Sequence, residues 1–210
     1  LHNIQSIFCL VNLFDTIFIK KLKNENKDKI SFQGPFSKYI NKNNNSVQNI
    51  LKIMRKAKLI SSYYSIKIYK RIPIFSGLGG GTSNAASIFK FLNKKKVKRK
   101  LFNKINNNIG TDFRLFFSKQ GVLKDIKNVV ELDKKHKLYF LVVYPNIKSS
   151  TKKTYSKVRK YSSKKTFKQN DLKTKSKFIN YISKLNNDLQ SIVEKKYPIV
   201  KKLLIDIKNQ

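Results

Sequence analysis

The sequence predicts a folded chain that mixes strands and helices, and three stretches carry that prediction. Between residues 64 and 92, Tyr64, Ile66 and Ile68 alternate with Ser65, Lys67 and Tyr69 at the period of a half-buried strand. A glycine turn follows, and then Ala85, Ile88, Phe89 and Leu92 recur at helical spacing. Upstream, Val47, Ile50, Leu51, Met54 and Ala57 mark one apolar helical face. Downstream, residues 138–144 form a continuous apolar run that stops at Pro145-Asn146, the pattern of a buried strand. With 40% hydrophobic and 12% aromatic residues in 210, the chain has enough apolar surface for one large domain or two small ones.

Taken in order, residues 1–13 carry Ile4, Ile7, Phe8, Leu10, Val11 and Leu13, and Asp15 opens a short β run over 16–19; both read as strands. A charged connection over 20–29 leads to Ile30-Ser31-Phe32, a further strand, and Gly34-Pro35 reads as a turn. Asn45 suits the N-cap of the helix that follows. Residues 94–100 are nearly all basic and read as a solvated connection to a short helix over 101–109. Gly121-Val122-Leu123 and Val129-Val130-Glu131-Leu132 suggest strands that close a first domain over 1–136, with 137–210 as the second. In that second part, 156–170 reads as a basic, serine-rich surface loop and Asn187-Asp188-Leu189 as structural. Pro198 opens a last helix with Ile199, Val200, Leu203, Leu204 and Ile207 on its buried face.

The formal net charge of +36 points first to nucleic acid. The lysines, however, are spread along the whole chain and mixed with Asn and Ile, as AT-rich coding sequence produces, and no RNA-binding signature lies among them. A basic nucleic-acid-binding protein is therefore the rival reading, and no specific nucleic acid is expected. A single Cys9 allows no internal disulfide and fits a reducing cytoplasm. No apolar run reaches membrane-span length, and the start lacks the layout of a signal peptide.

The stretch Pro73-Ile74-Phe75-Ser76-Gly77-Leu78-Gly79-Gly80-Gly81-Thr82-Ser83-Asn84-Ala85-Ala86 holds four of the chain's seven glycines. Glycines let a backbone turn through positive φ and approach a ligand. The helix behind them aims unpaired N–H groups and its positive end at the loop, where an anion is stabilised. This loop is built for phosphate. It is not a Walker A loop, since no lysine stands between Gly81 and Thr82, and Thr82 occupies the third-glycine position of the dinucleotide fingerprint. The protein-kinase set is also missing, since Asp112-Phe113-Arg114 is not Asp-Phe-Gly.

These residues do resemble the second motif of the GHMP kinases, Pro-x-x-x-Gly-Leu-Gly-Ser/Gly-Ser/Gly. The ending with three glycines followed by Thr-Ser-Asn-Ala-Ala is similar to one branch, the 4-diphosphocytidyl-2-C-methyl-D-erythritol kinases. The resemblance implies that Pro73, Ile74, Phe75, Ser76, Gly77, Leu78, Gly79, Gly80, Gly81, Thr82 and Ser83 bind ATP, with Mg²⁺ arriving on the nucleotide near Ser83 or Thr82. It implies an α+β chain: an N-terminal domain with a left-handed β-α-β crossing and a C-terminal ferredoxin-like domain.

Ile109-Gly110-Thr111-Asp112-Phe113-Arg114-Leu115-Phe116-Phe117 resembles the family segment Ile/Leu-Gly-Ala/Ser-Asp-Val-Pro-Phe-Phe, whose Asp accepts the proton of the attacking hydroxyl. Asp112 is thus implied as the catalytic base, the alternative being a cap on the next helix. Arg114 stands where the family has Pro. His2, in a segment resembling Tyr-His-x-Leu-x-Ser/Thr-Leu-Phe, is implied beside the cytidine, with a structural histidine as the alternative. Tyr155 closes a segment from Tyr144 that resembles Tyr/Pro-Pro-x-Ile/Val-x-x-Ser/Pro-Thr-x-x-x-Tyr/Phe, and is implied to stack on the cytosine. Asn45-Ser46-Val47 is similar to the Asn-Leu-Val/Ile near the adenine, with the N-cap as the alternative.

The implied reaction moves the γ-phosphate of ATP to the 2-hydroxyl of 4-diphosphocytidyl-2-C-methyl-D-erythritol, in non-mevalonate isoprenoid biosynthesis; mevalonate- or homoserine-kinase-like activity is the alternative within the superfamily. The family's first, lysine-bearing motif and its third, glycine-rich motif have no counterpart in the sequence. The chain therefore reads as cut at both ends, and inactivity of the piece is the expectation.

Overall fold

The computed structural model describes residues 5–125, 128–147, 149, 154–159, 161–163 and 167–209. They fall into two compact units, Leu1–Ile74 with Leu78–Glu131, and Phe75–Gly77 with Leu132–Gln210.

The first unit contains two three-stranded sheets. β1 (Ser6–Cys9) belongs to one; β2 (Thr16–Lys21), β3 (Lys29–Gln33) and β4 (Tyr64–Tyr69) form the other, in the order β2-β4-β3. β2 runs antiparallel to β4 with Ile17 opposite Ile68 and Ile19 opposite Ile66. β3 runs parallel to β4 with Ile30 opposite Ile66 and Phe32 opposite Ile68. Side chains alternate across a strand, so these six apolar residues share one face, while Phe18, Ser31 and Lys67 lie on the other.

The helices α1 (Ser46–Lys56), α2 (Gly80–Leu92) and α3 (Arg99–Ile109) close over the apolar face. Ile50, Leu51 and Met54 of α1, Ala85, Ala86 and Ile88 of α2, Ile105 of α3 and Ile66 of β4 are fully buried together. Each large aliphatic side chain so buried contributes about 1.5–3 kcal/mol. α1 is the crossover that parallel β3 and β4 require. It begins at Asn45, whose side-chain oxygen accepts from Val47 N at 3.1 Å and Gln48 N at 3.0 Å, so Asn45 is the N-cap.

β5 (Gln120–Asp125) and β6 (Asn128–Glu131) complete the antiparallel sheet β1-β5-β6. Gly121 lets the three strands close, since a Cβ there would lie 2.6 Å from the Val130 carbonyl oxygen and 3.0 Å from the Phe8 ring.

The second unit shows helices among its described residues: a 3-10 turn at Gln169–Leu172, then α4 (Lys175–Ser183), α5 (Gln190–Lys196) and α6 (Pro198–Lys208). His136 organises its core, with Nε2 2.7 Å from the Leu172 carbonyl oxygen and the ring 5.0 Å from that of buried Phe178. Asp188 accepts from Ser162 N at 3.0 Å, and the Asn187 side chain accepts from Leu189 N at 3.0 Å, the structural role read for that tripeptide.

Two expectations are corrected in this unit. Residues 138–144 form no strand, and Tyr139 and Leu141 are each 81% exposed. A strand needs a neighbour to pair its backbone groups, and no strand lies among the described residues of this unit. In α6, Ile199 and Ile207 are exposed, because no described element covers that edge of the helix, while Val200, Leu203 and Leu204 are half-buried.

Candidate active site

After β4, the chain enters the glycine loop through Lys70, Arg71, Ile72 and Pro73. Gly77 at φ +78° and Gly79 at φ +67° take the left-handed conformation that glycine makes inexpensive, and Phe75 joins them at φ +62°. Gly79 is the N-cap of α2. Among the described residues no side chain caps this helix, and no acidic residue lies in its first turn. Ser83 N turns back to the Gly79 carbonyl at 2.8 Å, which leaves the amides of Gly80, Gly81 and Thr82 without intrahelical acceptors. Their partial charges and the helix dipole make this end of α2 suited to phosphate.

Two other segments converge on the same helix end. Ser46, at the start of α1, donates its hydroxyl to the Gly81 carbonyl at 2.7 Å. The 3-10 turn Thr111–Phe117 packs on α2 from the other side. A Cβ on Gly79 would lie 3.0 Å from the Phe116 ring, and one on Gly110 would lie 3.3 Å from Thr82 Oγ1. Lys90 of α2 donates to the Phe116 carbonyl and fastens the far end of the turn. Gly110 (φ +149°) and Gly79 therefore set how closely the two backbones approach, and Asp112 follows Gly110 by two residues on the segment that packs against the start of α2.

Asp112 sits in the first turn of that segment, while Gly110 occupies the N-cap position, so the carboxylate is not the cap. Protein atoms packed around the carboxyl raise its pKa above the ordinary carboxylate value, and a hydrogen bond with Thr111 opposes the shift. Arg114, the residue in place of proline, uses the N–H that proline lacks: its backbone N donates to Asn106 Oδ1 at 3.1 Å and its Nε to the same oxygen at 3.3 Å. The arginine thus holds the turn against α3. Phe113 and Phe117 lock it from beneath, with ring centroids 5.8 Å and 6.0 Å from that of Phe89.

The structure brings together Gly79, Gly80, Gly81, Thr82, Ser83 and the segment bearing Asp112. Tyr155 is half-buried and belongs to the second unit, and His2 lies outside the described residues. A Cβ on Gly80 would lie 2.9 Å from Ile72 Cγ2, so the packing of α2 on its own lead-in by itself favours glycine there. A Cβ on Gly77 would meet no described atom within 4 Å, so the space there is open. The sequence also passed over a buried carboxylate below the loop, that of Asp15, which pairs with Lys70.

Among the described residues no group of three His, Cys, Asp or Glu could hold a metal ion, and no helix is long and apolar enough to cross a membrane. Residues 45–113, which include Ser46, the glycine loop and Gly110–Asp112, match the family described as GHMP kinases N terminal domain. The chain is 38% identical over 208 residues to 4-diphosphocytidyl-2-C-methyl-D-erythritol kinase of Pelagibacter ubique (strain HTCC1062), covering 97% of this chain and 72% of that protein. The chain belongs to the 4-diphosphocytidyl-2-C-methyl-D-erythritol kinase family of GHMP kinases. A second family member, from Ureaplasma parvum serovar 3, is 33% identical over 95% of this chain and 77% of its own. A crystal structure of 4-(cytidine 5'-diphospho)-2C-methyl-D-erythritol kinase shares the fold with a TM-score of 0.60 at 18% identity, over 96% of this chain and 72% of that one.

Proposed function

We propose that this protein transfers the γ-phosphate of ATP to the 2-hydroxyl of 4-diphosphocytidyl-2-C-methyl-D-erythritol, a step of non-mevalonate isoprenoid biosynthesis. The observation that carries the proposal is the packing of the Gly110–Asp112 segment onto the uncapped N-terminus of α2, through Gly110 on Thr82 and Phe116 on Gly79. A phosphate site and a carboxylate on neighbouring backbones are the two parts phosphoryl transfer asks of a protein. The amides of Gly80, Gly81 and Thr82 hold the phosphate oxygens and stabilise the charge that spreads over them. Asp112 accepts the proton of the attacking hydroxyl, and its raised pKa makes it a better base than an ordinary carboxylate. Tyr155 offers a ring face for the cytosine, and His2 a polar contact to the cytidine.

The hydroxyls of Thr82 and Ser83 would suit a Mg²⁺ that arrives on the nucleotide, since Mg²⁺ in such sites is carried chiefly by phosphates. Held there, such an ion would supply charge neutralisation to the transferred phosphate. The setting proposed is the cytoplasm, where the lone thiol of Cys9 stays reduced.

The test offers the protein, expressed from its whole reading frame, the cytidine-linked alcohol, mevalonate or homoserine with Mg·ATP, and follows ADP release. Turnover confined to the cytidine substrate is expected. Turnover confined to another alcohol would overturn the substrate, and no binding of a non-hydrolysable ATP analogue would overturn the kinase. Nucleic-acid binding that is sequence-selective and persists at physiological salt would move the main role elsewhere.

A further inference from the structure

The buried carboxylate of Asp15 has a bonding pattern that the reaction steps above leave unused. Its side chain has 0% exposure and that of Lys70 4%. Oδ1 accepts two consecutive backbone amides, Arg71 N at 2.8 Å and Ile72 N at 2.9 Å. Oδ2 accepts from the Lys70 ammonium and from Asn84 Nδ2 at 2.9 Å. Asn84, only 4% exposed, lies on α2 just behind the helix end that faces the loop.

One side chain therefore holds three points. It anchors its own chain at the start of β2, the last residues before Pro73, and the body of α2. The two latter points are the two ends of the glycine loop. The cluster also lies directly under the loop's exit, since a Cβ on Gly80 would be 3.4 Å from Lys70 Nζ. A neutral packing contact could slide here, but a carboxylate that accepts four donors in fixed directions cannot.

We propose that Asp15 is the positioning residue of the phosphate loop: through Lys70, Arg71 and Ile72 on one side and Asn84 on the other, it fixes the span between the loop's entry and the first turn of α2. It touches neither nucleotide nor alcohol. Its effect is to hold the amides of Gly80, Gly81 and Thr82 where phosphate oxygens meet them, and this role rests on the phosphate-binding reading of the loop. A displacement on the order of 1 Å in such a site weakens catalysis by about a hundredfold, so the tether is expected to show in ATP affinity and rate while the alcohol's KM stays near wild type.

The test compares wild type with Asp15→Asn, the double variant Asp15→Asn/Lys70→Met, which removes the unpaired ammonium, and Asn84→Ala, which releases only the α2 side. Binding of a non-hydrolysable ATP analogue is measured by titration calorimetry on folded material, with steady-state KM for both substrates and the thermal midpoint beside it. The expected result is an ATP-analogue Kd raised about tenfold or more in the double variant and in Asn84→Ala, with the alcohol KM unchanged. The double variant regains thermal stability relative to Asp15→Asn without regaining affinity. If both folded variants bind the analogue as wild type does, Asp15 is a structural ion pair and the proposal fails. If wild type itself binds no analogue, the phosphate-loop reading fails instead. Should Asp15→Asn not fold, Asn84→Ala alone decides.

Discussion

Asp112→Asn is the substitution on which the chemistry turns. Asparagine keeps the volume and planarity of the side chain, and among the described residues no backbone amide depends on the Asp112 carboxylate, so packing is untouched. What is lost is the base. A positioned general base contributes about 10²–10⁴-fold, so kcat falls by that factor, or about 2.7–5.5 kcal/mol in barrier. ATP affinity stays near wild type, because the amides of α2 hold the phosphates. The stability response has a defined sign. Folding raises the Asp112 pKa, so the folded state favours the protonated form. The stability that this carboxyl contributes is present below its unfolded pKa and is lost as pH rises through the folded value. At neutral pH the substitution removes a desolvated charge, and the thermal midpoint stays level or rises. In the wild-type enzyme, kcat rises with pH as Asp112 loses its proton, along a limb placed above the ordinary aspartate pKa of about 3.9. The assay is ADP release under saturating substrates across pH, with calorimetric melting alongside. A stable Asp112→Asn protein with near-normal kcat would falsify the mechanism.

Other substitutions separate packing from binding. Gly80→Val drives side-chain atoms into Ile72 and destabilises the protein by about 1–3 kcal/mol, read as a lower thermal midpoint before any effect on ATP is considered. Gly77→Ala meets open space and carries only the left-handed penalty of about 1–2 kcal/mol, so a loss of ATP affinity in a protein that still melts cooperatively reports on the loop itself. Asn45→Ala removes the cap of α1 and lowers stability by about 1 kcal/mol in urea titration, with the ATP KM unchanged. Heparin and RNA retention, expected of a chain of charge +36, falls linearly on a log–log plot against salt and shows no sequence preference.

Local pattern made much of the first unit legible. The period of two in β4, the helical spacing of α1 and α2, and the glycines between them need only near neighbours to be read, and so does Asn45 as a cap. The candidate site was legible where a local motif marks a backbone turn, at the glycine loop and at Gly110-Thr111-Asp112. Long-range pairing was not. Asp15 looked like the polar residue that opens a strand, and its partners Lys70, Arg71, Ile72 and Asn84 carry no local mark of the pairing. Gly80 and Gly77 are indistinguishable as letters, yet one faces Ile72 and the other faces open space. Residues 138–144 misled because an apolar run states a preference for burial without saying what will cover it.

The register of the outer sheet has a consequence for the order of assembly. Ser6 pairs with Leu123 and Cys9 with Gln120, so β1 takes a partner made near the end of the unit. The sheet under the glycine loop draws its three strands from residues 16–69, and α2 follows at once. On a ribosome the half that carries the glycine loop can collapse before β5 is made to pair with β1. Closing so long a loop is entropically the slowest contact to make. β1 waits for β5 through this interval, which is the point at which the nascent unit is most exposed to misassembly and to chaperone capture.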